Sequence, residues 1–576
     1  ALRAHLAAAL AALVRDAAGA RAWEACGATL ASVHARVVRV GTSCAALGVP
    51  LLPTQRAVMA MQSVQRWLAS DEELPDAVFA LLPSVCAELA PVLQSVVGRI
   101  DMLVDLVEEN VNAADVGEPL GWASLHATLQ LLDTLDTLRD AAPVAESLAA
   151  HQASVRAALH DAFVRLCALA ATPAFRSCAV HAPCVALLVR LVRVFVPPSD
   201  VAHDAAVGAL LRTPTPAHGL QAAAYAAYAA ATRDAVREQV VELAVDAAAA
   251  PAPLDAALVQ SVSRHAPLTP AIWDAPEAWG DVFALLLQWL ALLDHFTEAS
   301  LALKARYVAT LEQHALPATQ LLPSVFVLLA GAPRGVPAVR PLEVGRYAVD
   351  EVEIDALDPH DARALQVLAA HVYFRALQHL PTQVRDWFWS VRDRQLSLHV
   401  SHWTAKACTP LLAERELRHL RDPDALARLQ DEAMAVKILS SNEVVATYTV
   451  DEHPMEIGVR LPTDFPLHGV EIRDLKRVGV SEAQWRAWLL AVQQMLSGRN
   501  GLILDALMLF KKNAEAKFQG YEGAECAICY SIISPTDQTL PNKPCRTCKH
   551  KFHGSCLYKW VSTSGASTCP LCRSIL

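Results

Sequence analysis

Eight side chains able to bind soft metal ions crowd the end of the chain. They read Cys526-x2-Cys529-x15-Cys545-x2-Cys548-x4-His553-x2-Cys556-x12-Cys569-x2-Cys572. A two-residue gap lets both side chains of a tight turn reach one tetrahedral ion, the spacing zinc favours, so four such pairs can hold two ions. Of the 14 cysteines in the chain, the other seven (Cys26, Cys44, Cys86, Cys167, Cys178, Cys184 and Cys408) stand singly among apolar residues. A secreted disulfide module rarely pairs its cysteines in CxxC knuckles with an interleaved histidine, and no export signal opens this chain. Four protein ligands per ion close each site, which makes the zinc structural and leaves no position for an activated water.

Those ligands sit at the end of 576 residues that are 54% hydrophobic with a formal net charge of −10. That length exceeds one core and the composition excludes a disordered chain. The net charge excludes a nucleic-acid-wrapping protein. The tail reverses the balance: residues 511–576 hold nine Lys/Arg against four acidic residues, although seven thiolates on two zinc ions would leave it only modestly basic. No segment reaches the ~18 uncharged apolar residues of a membrane span; the best run, 282–293, contains Gln288. A start at Ala1 rather than Met predicts a fragment of a longer protein. Free cysteines, zinc knuckles and no export signal predict the cytosol or nucleus.

Upstream, residues 1–340 read as helix after helix. Ala, Leu and Val recur at three- and four-residue spacing, with Pro, Gly or Asp every 12 to 25 residues. Examples are 2–16, 54–69, 76–97, 120–140, 145–170, 217–248 and 279–296. Short connections between paired helices predict an irregular HEAT-like α-solenoid, with a large helical bundle as the alternative. Residues 341–440 form a helical, aromatic-rich connecting segment whose Trp387, Phe388, Trp389 and Trp403 read as packing residues. From Glu443 the period changes. Runs at 444–450 and 455–461 are strand-like, a Pro462-to-Pro466 loop and a short strand at 470–472 follow, and helices are expected over 481–496 and 501–517. Ser481 and Gln484 have the spacing of a capping box.

The strand, strand, Pro-x3-Pro loop, strand and two-helix order over 441–517 resembles an RWD domain, a relative of the ubiquitin-conjugating fold. No cysteine lies between Cys408 and Cys526, so this region lacks the thiolate of a conjugating enzyme and is expected to bind, not to react. The ligand order of the tail (518–576) is shared by PHD fingers and RING-variant ubiquitin ligases. A PHD finger places Trp two residues before the seventh ligand, where this chain has Ser567. A RING places an apolar residue in the first knuckle, Trp after the sixth ligand, Pro after the seventh and Arg after the last; here these are Ile528, Trp560, Pro570 and Arg573. The tail therefore resembles a RING.

RING resemblance implies a cross-brace with two structural zinc ions. Cys526, Cys529, His553 and Cys556 would hold one, and Cys545, Cys548, Cys569 and Cys572 the other. It also leaves an alternative open: in the subclass with two histidine ligands, Cys548 and His550 fill the middle pair and Cys545 is free. Ile528, Trp560, Pro570 and Leu571 would receive a ubiquitin-conjugating enzyme, and Arg573 would act as the linchpin that orients its thioester. With every tail cysteine used as a ligand, no nucleophile remains for a covalent ubiquitin intermediate.

The whole order is mainly α: HEAT-like helical repeats (1–340), the connecting segment (341–440), a small α+β RWD-like domain (441–517) and a C-terminal RING-type zinc finger (518–576). With Arg477-Val-Gly-Val480, Trp485-Arg486-x-Trp488 and the run Cys545 to Trp560, it resembles the C-terminal part of the listerin family, closely over 360–576 and by architecture before that. The resemblance implies a cytosolic RING-type ubiquitin ligase of ribosome-associated quality control. Its partners would be a ubiquitin-loaded conjugating enzyme, the large ribosomal subunit with stalled peptidyl-tRNA, the retained nascent chain as substrate and a cofactor that recognises the peptidyl-tRNA. The competing reading is a non-enzymatic HEAT scaffold whose PHD-like zinc module binds a protein partner.

Overall fold

A computed structural model describes residues 100–105, 107–109, 111, 122–137, 142–177, 182–197, 200–201, 204–246, 250–332, 339–343, 345–498, 501–519, 525–565 and 567–576. The helices expected at 2–16, 54–69 and 76–97, and Cys26, Cys44, Cys86 and Cys178, lie outside the described residues. The chain forms two compact units, one of residues 1–235, 276–294 and 353–361 and the other of 236–275, 295–352 and 362–576.

The first unit has only helices among its described elements, joined by short turns. Helix Ala142–Ala170 packs on both Ala182–Phe195 and Ala205–Leu211. Helix Trp279–Asp294 carries apolar residues on every face and is buried all round, Leu287, Trp289 and Leu292 completely. That is the pattern of a central core helix; no described helix is long and apolar enough to cross a membrane. Its buried acid, Asp294, accepts the Tyr225 hydroxyl at 2.8 Å, which satisfies a carboxylate that burial would otherwise penalise. The alanine-rich stretch contributes a small buried face through Ala222, Ala223 and Ala224.

The second unit runs from helices into the sheet and the zinc-finger region. Helix α1 (Leu301–Gln313) starts at Ser300, whose hydroxyl accepts the Leu303 amide. Helix Leu322–Ala330 ends at Gly331 with φ 73°, where any Cβ would lie 2.5 Å from the Val339 carbonyl oxygen. The aromatic segment divides: Trp387 stacks on Phe326 and is buried with Trp403, whereas Trp389 is 68% exposed and its indole N–H is tied down on the Leu467 carbonyl. Trp389 therefore packs at the surface, edge-on to His468, and not in the core. Helix α2 (Thr409–Arg421) closes the helical part on the sheet domain, with Leu417 and Leu420 in that domain's core.

The sheet is an antiparallel meander in the order β1 (Met434–Ser440), β2 (Glu443–Val450), β3 (His453–Arg460), β4 (Glu471–Lys476). Strand β1 occupies the end of the segment expected to be connecting helix, so the sheet domain starts upstream of 441. Its sequence alternates only loosely, with Met434 as its one fully buried side chain. Its strand state comes from pairing with β2, not from a strong local period. In β2 and β3, Val444 faces Val459, Ala446 faces Ile457 and Tyr448 faces Met455, the period-two inward set that one covered sheet face requires. The two-residue turn between them, Asp451 and Glu452, has φ of 50° and 64°, as a type I′ hairpin demands.

Helices α3 (Glu482–Gly498) and α4 (Ile503–Phe518) complete the core of this domain. Trp485, Trp488 and Val492 from α3 meet Ile503, Leu507 and Phe510 from α4. The last region has two-residue strands β5 (Lys543–Pro544) and β6 (Lys551–Phe552) and one helix, α5 (Gly554–Ser564). Its own buried cluster contains Cys526, Cys545, Phe552 and Cys569.

Candidate functional site

The tail is built from one turn used three times. In each CxxC knuckle the fifth residue takes a left-handed conformation and its N–H donates to the carbonyl of the first cysteine: Tyr530 (φ 57°) to Cys526, Lys549 (φ 63°) to Cys545 and Arg573 (φ 56°) to Cys569, at 2.7 to 3.1 Å. The amide of each first cysteine donates in turn to the carbonyl of the sixth residue, Ser531, His550 or Ser574. These paired bonds hold both sulfurs of a knuckle on one side.

Two groups of ligand atoms result. Cys526, Cys529, His553 and Cys556 form one; Cys545, Cys548, Cys569 and Cys572 form the other, with the ligand atoms of each within 4.8 Å of one another. None of these cysteines is disulfide-bonded. Cys545 and Cys572 sulfurs stand 3.6 Å apart, Cys548 and Cys569 3.7 Å. Four sulfurs at ~2.3 Å around a tetrahedral zinc would be separated by about 3.8 Å. His553 is completely buried, with Nδ1 3.3 Å from the Cys529 sulfur and 3.7 Å from that of Cys556, and Nε2 3.1 Å from the Ile532 carbonyl oxygen. Nε2 therefore carries the proton and Nδ1 offers its lone pair to the cluster.

His550 stands apart. It is exposed, its Nδ1 turns back to the Cys548 carbonyl at 3.1 Å, and its backbone fills the knuckle-closing slot that Ser531 and Ser574 fill elsewhere. Cys545 occupies the first position of that knuckle.

The thiols respond to this geometry in opposite ways. Amides of Cys548 and Thr547 aimed at its sulfur hold Cys545 down at about 6. Burial, and then the neighbouring Cys529 sulfur, push Cys556 up to about 12. Sulfurs packed this closely cannot all ionise without a cation among them. One set of three cysteines with a histidine and one set of four cysteines both fit zinc.

The expected partner-facing residues lie around the clusters. Ile528 and Pro570 are half-buried, Leu571 is 49% exposed, and Arg573 is exposed at the end of the third knuckle. The Trp560 ring is 36% exposed while its indole N–H donates to the Thr568 carbonyl at 3.0 Å. Trp560 thus fastens α5 to the segment leading into the third knuckle while presenting its ring. Sequence reasoning missed two further residues. Ser574 places its hydroxyl 2.8 Å from the Cys572 sulfur; its position after a knuckle is the signal that could have found it. Asp451, on the β2–β3 turn, accepts the amides of Ile532 and Ile533 with one carboxylate oxygen at 2.7 and 3.2 Å; no local pattern marks it.

Comparison with known proteins bears on the same regions. Residues 204–421 match the family described as LTN1 family HEAT repeat region. Residues 434–517 match the ubiquitin conjugating domain-like family and 524–573 the Ring finger domain. The E3 ubiquitin-protein ligase listerin of Schizosaccharomyces pombe is 37% identical over 50% of this chain and 18% of its own length. Half of the chain is homologous to listerins. The listerin of Xenopus tropicalis is 34% identical over 55% of the chain and 19% of its own length, and that of Saccharomyces cerevisiae 38% over 36% and 13%. The chain thus spans under a fifth of the length of these relatives. The listerin-like part joins a helical repeat region, a sheet domain without a cysteine and a RING in one continuous order.

Proposed function

We propose that this chain is the catalytic end of a RING-type ubiquitin-protein ligase. The observation that supports the reading is a tail matching the Ring finger domain whose seven cysteines and His553 fall into two groups able to hold a metal ion. With zinc bound, the clusters would supply folding free energy, roughly 10 kcal/mol or more per ion. The chain's own residues would do the rest. Ile528, Pro570, Leu571 and the Trp560 ring form the apolar surface for a conjugating enzyme. Arg573, held by the knuckle with its side chain exposed, donates to the enzyme and to ubiquitin and keeps the thioester in an attack-ready conformer. The rate gain is orientation. Ubiquitin stays on the conjugating enzyme until it reaches a substrate lysine, because the described thiols outside the tail are shielded: burial pushes Cys184 up to about 12, and Cys167 and Cys408 well above the ordinary thiol range.

The substrate and partners follow from the listerin-like regions. The ligase acts in the cytosol on nascent chains retained on large ribosomal subunits with stalled peptidyl-tRNA, marks them for the proteasome and works with a cofactor that recognises the peptidyl-tRNA. The decisive experiment is discharge of ubiquitin-loaded conjugating enzymes by the zinc-loaded chain, followed by ubiquitination of ribosome-bound nascent chains. Silence across a broad panel of conjugating enzymes would leave the non-enzymatic scaffold. Activity without co-sedimentation on large subunits would sink the ribosomal part alone.

A further inference from the structure

The segment between the first two knuckles does not stay within the RING. After Cys529 it drops Ile533, completely buried, and Leu540 into the core of the sheet domain, beside Tyr448, Val478 and Phe518. Gly479 admits this approach: its N–H donates to the Gln538 carbonyl at 2.9 Å, and a Cβ there would lie 3.0 Å from the Ile533 side chain. The peptide of Ile532 lies on the seam. Its N–H and that of Ile533 donate to the same Asp451 oxygen, and its carbonyl accepts the His553 Nε2–H. A continuous path therefore runs from the β2–β3 turn, through one residue's backbone, to the imidazole whose Nδ1 faces the first cluster.

We propose that Asp451 is a positioning residue of the first metal cluster, acting from the neighbouring domain. Its carboxylate fixes the Ile532 backbone, that backbone fixes the His553 ring and tautomer, and the ring turns Nδ1 towards the Cys529 and Cys556 sulfurs. Partners of a ligating histidine set its orientation and basicity. The inference rests on the reading that Cys526, Cys529, His553 and Cys556 hold zinc.

The test uses the full chain with Asp451→Gly, which suits the positive φ and removes the carboxylate, and Asp451→Asn, which keeps an acceptor without the charge. Zinc is replaced by Co(II), whose visible bands separate the histidine-containing site from the all-cysteine site, and affinity is read by chelator competition. Asp451→Gly is expected to weaken the histidine-containing site about tenfold or more, to alter its bands and to speed hydrogen exchange at the Ile532 and Ile533 amides, leaving the all-cysteine site unchanged; Asp451→Asn should do the same to a smaller degree. Equal weakening of both sites, an unchanged histidine-containing site, or unchanged exchange at the two amides overturns the proposal. A parent chain that shows neither set of bands overturns the zinc reading instead.

Discussion

The sheet domain and the RING lie side by side in one compact unit and are held by different physics. In the sheet domain, Trp485, Ile503, Leu507 and Phe510 are almost wholly out of water beside the inward residues of β2 and β3, and apolar burial at ~25 cal/mol per Å2 stabilises it. In the RING, Phe552 is the only buried residue of its own cluster that is not a cysteine, among the described residues. The difference teaches that the RING depends on its ligands locally and on its neighbour for a core: Ile533 and Leu540 belong by sequence to the RING and by burial to the sheet domain.

The largest effect should come from removing metal. A strong chelator should abolish ubiquitin discharge and raise hydrogen exchange over 541–576 to that of unfolded chain, while amides of β2, β3 and α4, and those of Ile532 and Ile533 seated on the sheet domain, keep their protection. Loss of protection in both regions together would break the comparison. Next come the exposed contacts. Arg573→Ala and Trp560→Ala should lower discharge by roughly tenfold to a hundredfold, with two metal equivalents retained in Arg573→Ala. Metal loss from Trp560→Ala would show that its bond to Thr568 matters more than its ring surface.

A core substitution at the seam should be smaller and differently distributed. Ile533→Ala should destabilise the sheet domain by about 2–4 kcal/mol, read as an unfolding midpoint of a region to which the residue does not belong by sequence. A shift confined to the RING would assign Ile533 to the RING core. The smallest effect is a difference in the sign of the pH response. Glu416 on α2 accepts the Ile503 amide at 3.0 Å and faces Lys304, Asp505 and Arg415; burial raises its carboxyl to about 7. The folded state therefore binds that proton more tightly than the unfolded state. Its contribution is fullest below the ordinary value of 4.5 and is lost as pH rises towards about 7. The metal clusters respond oppositely, since protons compete for their cysteines and histidine. Between about pH 5 and 7.5, the unfolding midpoint of the helices around Glu416 should fall while metal affinity rises, and Glu416→Gln should flatten the first response without touching the second.

The tail was legible because ligand spacing is local: two cysteines separated by two residues meet in one turn wherever that turn sits. The β2–β3 alternation and the apolar stripe of α3 were legible for the same reason. Strand β1 was not, because its loose alternation becomes a strand only when β2 pairs with it. That Trp389 packs on the surface while Trp387 and Trp403 enter the core was not legible, because composition does not say which aromatic faces water.

By itself, then, the sequence determined which side chains can bind metal and that the sheet domain has no thiol to react, and it left Cys545 and His550 as rivals for one ligand position. Tertiary structure alone decided that His550 closes a knuckle instead of entering a cluster, that Ile533 packs in its neighbour's core and that Asp451 reaches amides 81 and 82 positions away. The physical reason is range. Helix, strand and knuckle are set by bonds among near neighbours, which leave a period in the sequence. A carboxylate on a turn finds its partners only after two domains have packed, and leaves none.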